Sequence, residues 1–224
     1  MLFLSGLGSG FVEVFLAIIA LLMAVFVAIP FHEFAHAFAA KREGDYTATA
    51  CKRCTLRGLA HVDWTGFLMM FLFGFGWAKP VPVDERNYRR GNKSKFIVSI
   101  AGVLMNIALG IGFLFIYMLI YKFFPDFYYT STFGYLLEMF LFYSISLNFG
   151  LALFNLLPIY PLDGFNIIES FSRRENGFLQ FMKRYSFFFF VLIMITGFYD
   201  IVYGKVINAL MNGLIKLFSM MLGM

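Results

Sequence analysis

Residues 11–40 read FVEVFLAIIALLMAVFVAIPFHEFAHAFAA, and within this run only Glu13, His32, Glu33 and His36 can ionise. As a helix the run is about 45 Å long, against roughly 30 Å of bilayer hydrocarbon, so it predicts a membrane span that tilts or protrudes at one end. His32, Glu33 and His36 are unfavourable inside such a span unless they have partners. Their pentapeptide, HEFAH, fits the H-E-x-x-H pattern of zinc hydrolases. Histidines four residues apart are separated by about 400° around a helix, so both rings lie on one face and suit a single tetrahedral ion. Glu33 is then placed to act as general base toward a water at that ion. Pro30 frees the carbonyl four residues back, at Phe26, which predicts either a bend beside the histidines or a simple packing role.

Composition sets the solvent in which this motif works. The chain is 61% hydrophobic, 21% aromatic and only 14% charged, with a mean hydropathy of +0.78, which excludes an ordinary soluble domain. The opening MLFLSGLGSG has no basic region and no small-residue cleavage site, so residue 11 onward is expected to be a retained span and not a signal peptide. A net charge of +5 does not point to nucleic acid, because the basic residues cluster in the polar gaps between apolar runs. There they set topology and meet anionic head groups. Lys41, Arg42, Lys52, Arg53 and Arg57 follow the first span and predict that its C-terminal end is cytoplasmic, with His32 about 13 Å in from that end. Two cysteines, Cys51 and Cys54, cannot build a disulfide framework.

Downstream, Gly44–Asp63 alternates as short strands and turns do. Gly66–Trp77 is apolar but too short to span, which predicts a re-entrant or interfacial segment. The prolines of AKPVPVDERNY, at 80 and 82, force an extended chain, either a connector or an edge to which an unwound strand can add. Phe96–Tyr121 reads as a second span, in which Gly102, Gly110 and Gly112 allow close packing and Asn106 needs a partner. Lys122–Thr132 reads as an external loop. Phe133–Leu157 returns with a polar stripe of Ser144, Ser146 and Asn148. In NLLPIYPLDG (155–164), Pro158 and Pro161 break the helix between Asn155 and Leu162 and leave Asp163 at its end, on the same side as His32. Ser170–Arg184, with Arg173, Arg174, Lys183 and Arg184, reads as a cytoplasmic loop, and Phe187–Tyr203 with Ile207–Leu222 as a final hairpin.

The expected fold is an all-α integral membrane protein. It is a multi-span helical bundle of about five to six membrane segments, one re-entrant, with a short extended, β-like cytoplasmic loop region. Residues 1–170 form the membrane-embedded core and 171–224 the loop and C-terminal hairpin.

A catalytic zinc takes three protein ligands and keeps one position open. After His32 and His36 the candidates are Asp163, His61 and the pair Cys51 and Cys54. Asp163 is favoured, as an intramembrane carboxylate without a cationic partner on an irregular backbone. His61 can ligate in a resting state, but a solvated or hydrogen-bonded loop histidine is the better reading. The C-x-x-C pair lacks enough further ligands and is read as reduced, redox-sensitive thiols.

Taken together, His32-Glu33-Phe34-Ala35-His36, Gly102-x-x-x-Asn106 and Asn155-x-x-Pro158-x-x-Pro161-Leu162-Asp163-Gly164 resemble the site-2 protease family of intramembrane zinc metalloproteases. Gly44-Asp45, AHVD at 60–63 and GWAKPVPV at 76–83 add a similarity to its compact members without a PDZ domain. The resemblance implies one zinc per chain held by His32, His36 and Asp163, with Glu33 activating water. Asn155 would hold the scissile carbonyl or its oxyanion, while Asn106, Pro158 and His61 would support the site or the substrate. The stretch from Ala50 to Leu59 departs from the strand seen in such members. The implied partners are a transmembrane protein substrate and the lipid bilayer, with no nucleic acid. The implied location is the plasma membrane of a prokaryote, with the active site toward the cytoplasm. Two other readings remain at this point. One is a membrane-anchored surface zincin taking Glu138, Glu169 or Glu175 as third ligand, and the other is a metal carrier or adaptor without catalysis.

Overall fold

The computed structural model describes residues 10–73, 78–172 and 176–223. Helix α1 spans Phe11–Arg42 and continues through Pro30, which is fully buried. Helix α4 (Asn92–Phe123) and helix α6 (Thr132–Asn155) pack on α1 and on each other. Buried alanines at 20, 24, 28, 37 and 40 let α1 approach its neighbours closely. Gly110 of α4 serves the same end, since a Cβ there would stand 2.9 Å from the Phe149 ring. Farther along α4 the core is apolar, with Leu114, Met118, Ile145 and Phe149 meeting Ile207 and Phe218 of the C-terminal helix.

Among the described residues, four helical stretches are long and apolar enough to cross a bilayer: Val12–Arg42, Asn92–Phe123, Thr132–Asn155 and Gly204–Leu222. The short apolar stretch forms α3, Trp64–Phe73, about 15 Å long and so half the hydrocarbon thickness. Residues 74–77, the end of that expected segment, lie outside the described residues, as do Arg173, Arg174 and Glu175.

Two expectations change. The connection from Gly44 to Asp63 holds no strand. It forms the one-turn helix α2 (Thr47–Ala50), irregular turns and a 3-10 turn at Gly58–His61. Asp45 accepts the backbone N–H and hydroxyl of Thr47, and Asp63 accepts the N–H groups of Thr65 and Gly66. These side-chain acceptors compete with strand pairing and turn the chain into helical starts. At the other end, helices α8 (Gly177–Thr196) and α9 (Phe198–Leu222) meet at Gly197 and not between 203 and 207. Gly197 has φ +63°, the left-handed conformation that ends a helix most readily at glycine. The expected loop from 170 to 184 is correspondingly short, because helix α7 (Asp163–Phe171) and α8 occupy most of it.

Between α6 and α7 the two prolines act as the sequence predicts. Helix α6 stops at Asn155 and helical geometry resumes only at Asp163. The intervening turn is closed by Ile159 N–H to Leu157 O and Leu162 N–H to Ile159 O, both 2.8 Å. Ile159 and Phe165 then pack with Leu179 and Met182 of α8. The remaining one-turn helix, α5, covers Phe127–Thr130.

Candidate metal centre

The helical spacing of HEFAH stacks the two imidazoles edge to face, with centroids 4.6 Å apart and Nε2 atoms 3.0 Å apart. The proline turn brings Asp163 against them, its Oδ2 lying 3.4 Å from His32 Nε2 and 3.2 Å from His36 Nε2. Gly164 is what permits this approach. A Cβ there would run into the carbonyls of Leu156 and Leu157. Gly102 of α4 faces the other side of the pair, where a Cβ would collide with His36 Nε2 and stand 2.6 Å from His32 Cε1.

Hydrogen bonds on the far side of each ring assign the protons. His32 Nδ1 meets the side-chain oxygen of Asn106 at 2.5 Å, and His36 Nδ1 meets the Val98 carbonyl at 2.7 Å. Both partners only accept, so each Nδ1 carries a hydrogen, and in the neutral ring each Nε2 presents a lone pair. Asp163 Oδ2 is buried and has no hydrogen-bond partner. Three lone-pair donors from His32, His36 and Asp163, all within 4.8 Å of one another, therefore converge on one point. In a buried setting such a convergence is repulsive without a cation, and two imidazoles with a carboxylate suit Zn2+ with a position left open. The donor set fits the metal.

Glu33 is buried beside this group and accepts the backbone N–H of Val81 through Oε2 at 2.8 Å. Val81 sits in the extended Pro80-Val81-Pro82 segment, packed on Ala37 and Ala48. That segment is pinned at several points. Lys79 N–H donates to His61 O at 2.9 Å, Arg53 Nη2 donates to Lys79 O at 2.8 Å, and Asp84 N–H donates to Asp45 Oδ2 at 2.7 Å. Arg90 and Ser94 both donate to Glu43, and together they hold its carboxyl below the usual carboxylate range. Burial opposes ionisation of Asp45, but the hydrogen bonds from Thr47, Asp84 and Asn87 outweigh it and leave that carboxyl low as well.

The other named candidates stand outside the cluster. Asn155 is the last residue of α6, half-buried, with its amide donating to Leu151 O at 3.0 Å. Pro158 is exposed in the turn that follows. His61 is buried and donates from Nε2 to Thr55 O at 2.8 Å, so it is neither solvated nor part of the ligand group. Cys51 is an exposed free thiol, and Cys54 is half-buried against the Ala37, Ala48 and Val81 cluster. Of the alternative acidic ligands, Glu138 accepts from the Tyr117 hydroxyl and Glu169 is clasped between Lys95 and Lys183. The Val81 amide and the Val98 carbonyl are backbone groups with no sequence signature. Asn148, the partner of Asn106, was visible only as one member of a polar stripe.

Comparison with known proteins agrees with this geometry. The chain matches the model of Peptidase family M50 over residues 18–197. It is 35% identical over 201 residues to "Putative zinc metalloprotease YwhC" of Bacillus subtilis (strain 168), covering 89% of this chain and 90% of that protein. It is 30% identical over 154 residues to "Putative zinc metalloprotease MJ0611" of Methanocaldococcus jannaschii, covering 69% of this chain and 71% of that one. No solved structure matches it. A zinc-fitting His-His-Asp group beside a buried glutamate, in a chain matched over most of its length, places the protein: it belongs to peptidase family M50.

Proposed function

We propose that this protein is a zinc metalloprotease that hydrolyses peptide bonds within or near the membrane-spanning segments of other proteins. The observation that carries the reading is the convergence of His32 and His36, with Glu33 beside them on a helix long enough to cross a bilayer, with Asp163 at the start of α7. His32, His36 and Asp163 hold one zinc per chain, which supplies a Lewis acid for the peptide carbonyl and lowers the pKa of a water. Glu33 has one oxygen engaged by Val81, so Oε1 is the atom that takes the proton from the attacking water and passes it to the leaving amine. Asn155 has one amide hydrogen on Leu151 O, which leaves the other for the developing oxyanion.

A helical substrate keeps its peptide groups in internal hydrogen bonds and must unwind before it can be cut. The segment at 78–83 is anchored next to Glu33 with the N–H groups of Lys79 and Val81 already used, so it receives the unwound strand through its carbonyls. The basic residues following α1 favour a cytoplasmic position for this end of the site, in the plasma membrane of a prokaryote.

The test is to incubate the purified protein in detergent micelles with membrane-spanning substrates, with and without a chelator, and map the products by mass spectrometry. Chelator-sensitive cuts within or next to the spanning segment support the reading. Cuts confined to distant soluble regions, or indifferent to the chelator, contradict it.

A further inference from the structure

Asn106 and Asn148 face one another between α4 and α6, both without solvent exposure. Asn148 Nδ2 donates to the Ser144 carbonyl at 2.8 Å. A carbonyl can only accept, so this contact fixes the Asn148 amide with its oxygen toward Asn106. Asn106 Nδ2 donates to that oxygen at 2.8 Å and to Ala28 O at 3.3 Å. With both its hydrogens used, Asn106 turns its own oxygen to His32 Nδ1. The imidazole proton is thereby held on Nδ1, and the Nε2 lone pair faces His36 and Asp163.

The two histidines differ in this respect. His36 is oriented by a backbone carbonyl, that of Val98, which no substitution removes. His32 is oriented by a side chain whose own orientation depends on a second side chain.

We propose that Asn148 is a positioning residue of the metal centre, which fixes the Asn106 amide and through it the tautomer and ring orientation of His32. It touches neither zinc nor substrate, and the inference rests on His32 being a zinc ligand as read above. Interhelical asparagines also serve simply to join helices. That role predicts a loss of stability and no particular change in where the His32 proton sits.

The experiment compares wild type with Asn148→Leu and Asn148→Asp in detergent micelles, using nitrogen NMR of labelled histidines in the metal-free protein at a pH high enough to keep both imidazoles neutral, and zinc titration against a chromophoric chelator. In wild type, His32 carries its proton on Nδ1. Asn148→Leu takes an acceptor from Asn106 and frees its amide to flip. The zinc dissociation constant then rises about 10- to 100-fold, the range for a lost supporting hydrogen bond, and the His32 proton moves toward Nε2. As the neutral acid, Asn148→Asp donates its O–H to the Ser144 carbonyl, still accepts from Asn106 and keeps the wild-type tautomer and an affinity close to wild type. Asn148→Ser, whose hydroxyl is too short to reach Asn106, carries the leucine expectation if Asn148→Leu does not fold.

A folded leucine or serine variant with wild-type tautomer and affinity overturns the proposal, as does an aspartate variant that loses zinc as fully as leucine. The wild-type titration separates the two claims. A wild-type chain that takes up no zinc removes the functional reading itself, whereas a wild-type chain that binds zinc as tightly as its leucine variant removes only the role of Asn148.

Discussion

Val81 donates its backbone N–H to Oε2 of Glu33 at 2.8 Å, joining two residues 48 apart in the chain. Prolines on either side keep the segment extended, and neither has an amide hydrogen to compete for the carboxylate. One carboxylate oxygen is thus fixed, and the proposed chemistry falls to the other. Val81→Pro keeps the extended backbone but removes the donor. A hydrogen bond to a charged group is worth about 1.5–3 kcal/mol, so kcat is expected to fall about 10-fold or more. Zinc per chain, measured on the same sample, stays at the wild-type value.

Gly102 is the residue of α4 that lies against both imidazoles. Gly102→Ala puts a methyl group where His36 Nε2 stands. The rings can make room only by turning away from Asp163, at about 1–3 kcal/mol for such overpacking. The expected outcome is a folded protein with reduced zinc content, read by metal analysis after purification. Gly112→Ala on the same helix meets no neighbour within 4 Å and serves as the control that leaves zinc unchanged.

Glu43 contributes to the pH dependence of stability, beside Asp45. Arg90 and Ser94 lower its carboxyl below the ordinary value of 4.5. A group depressed in the folded state stabilises it above the unfolded value and loses that contribution as pH falls through the folded one. Thermal stability should therefore weaken as pH drops below 4.5. Glu43→Gln should lower the melting temperature at neutral pH and flatten that acid limb. An acid limb as steep in the variant as in wild type removes Glu43 from the account.

Lys95 joins three elements, reaching Glu85 at 2.7 Å and Glu169 of α7 at 2.5 Å, while Lys183 of α8 holds the other oxygen of Glu169 at 2.7 Å. Glu169 keeps Lys183 when Lys95 is removed, and Glu85 is exposed, so Lys95→Met is expected to cost about 1 kcal/mol. Combining it with Glu169→Gln should recover part of that loss. Urea or thermal unfolding of the single and double variants in one detergent gives the comparison.

The legible parts of the sequence were those in which side chains and spacing carry the signal. HEFAH gave its geometry away because helical spacing alone brings His32 and His36 to one face, where the rings now lie 4.6 Å apart. Asp163 stood out as a carboxylate after two helix-breaking prolines, and the turn they make is what delivers it. The alternation at 47–50 was misleading, because Asp45 captures Thr47 and starts a helical turn. At the C-terminus two glycines, Gly197 and Gly204, were equally available to end a helix. Of these two, Gly197 takes the left-handed conformation and ends α8. The amide that holds Glu33 belongs to Val81, whose side chain announces nothing about its backbone.

The central claim is that Glu33 does chemistry at a metal held by its neighbours. It is tested most directly by measuring zinc content and cleavage of a membrane-spanning substrate on the same preparations of wild type and Glu33→Gln. The account predicts one zinc per chain in both and cleavage in wild type alone. A Glu33→Gln protein that binds zinc and still cuts at the wild-type rate would contradict it.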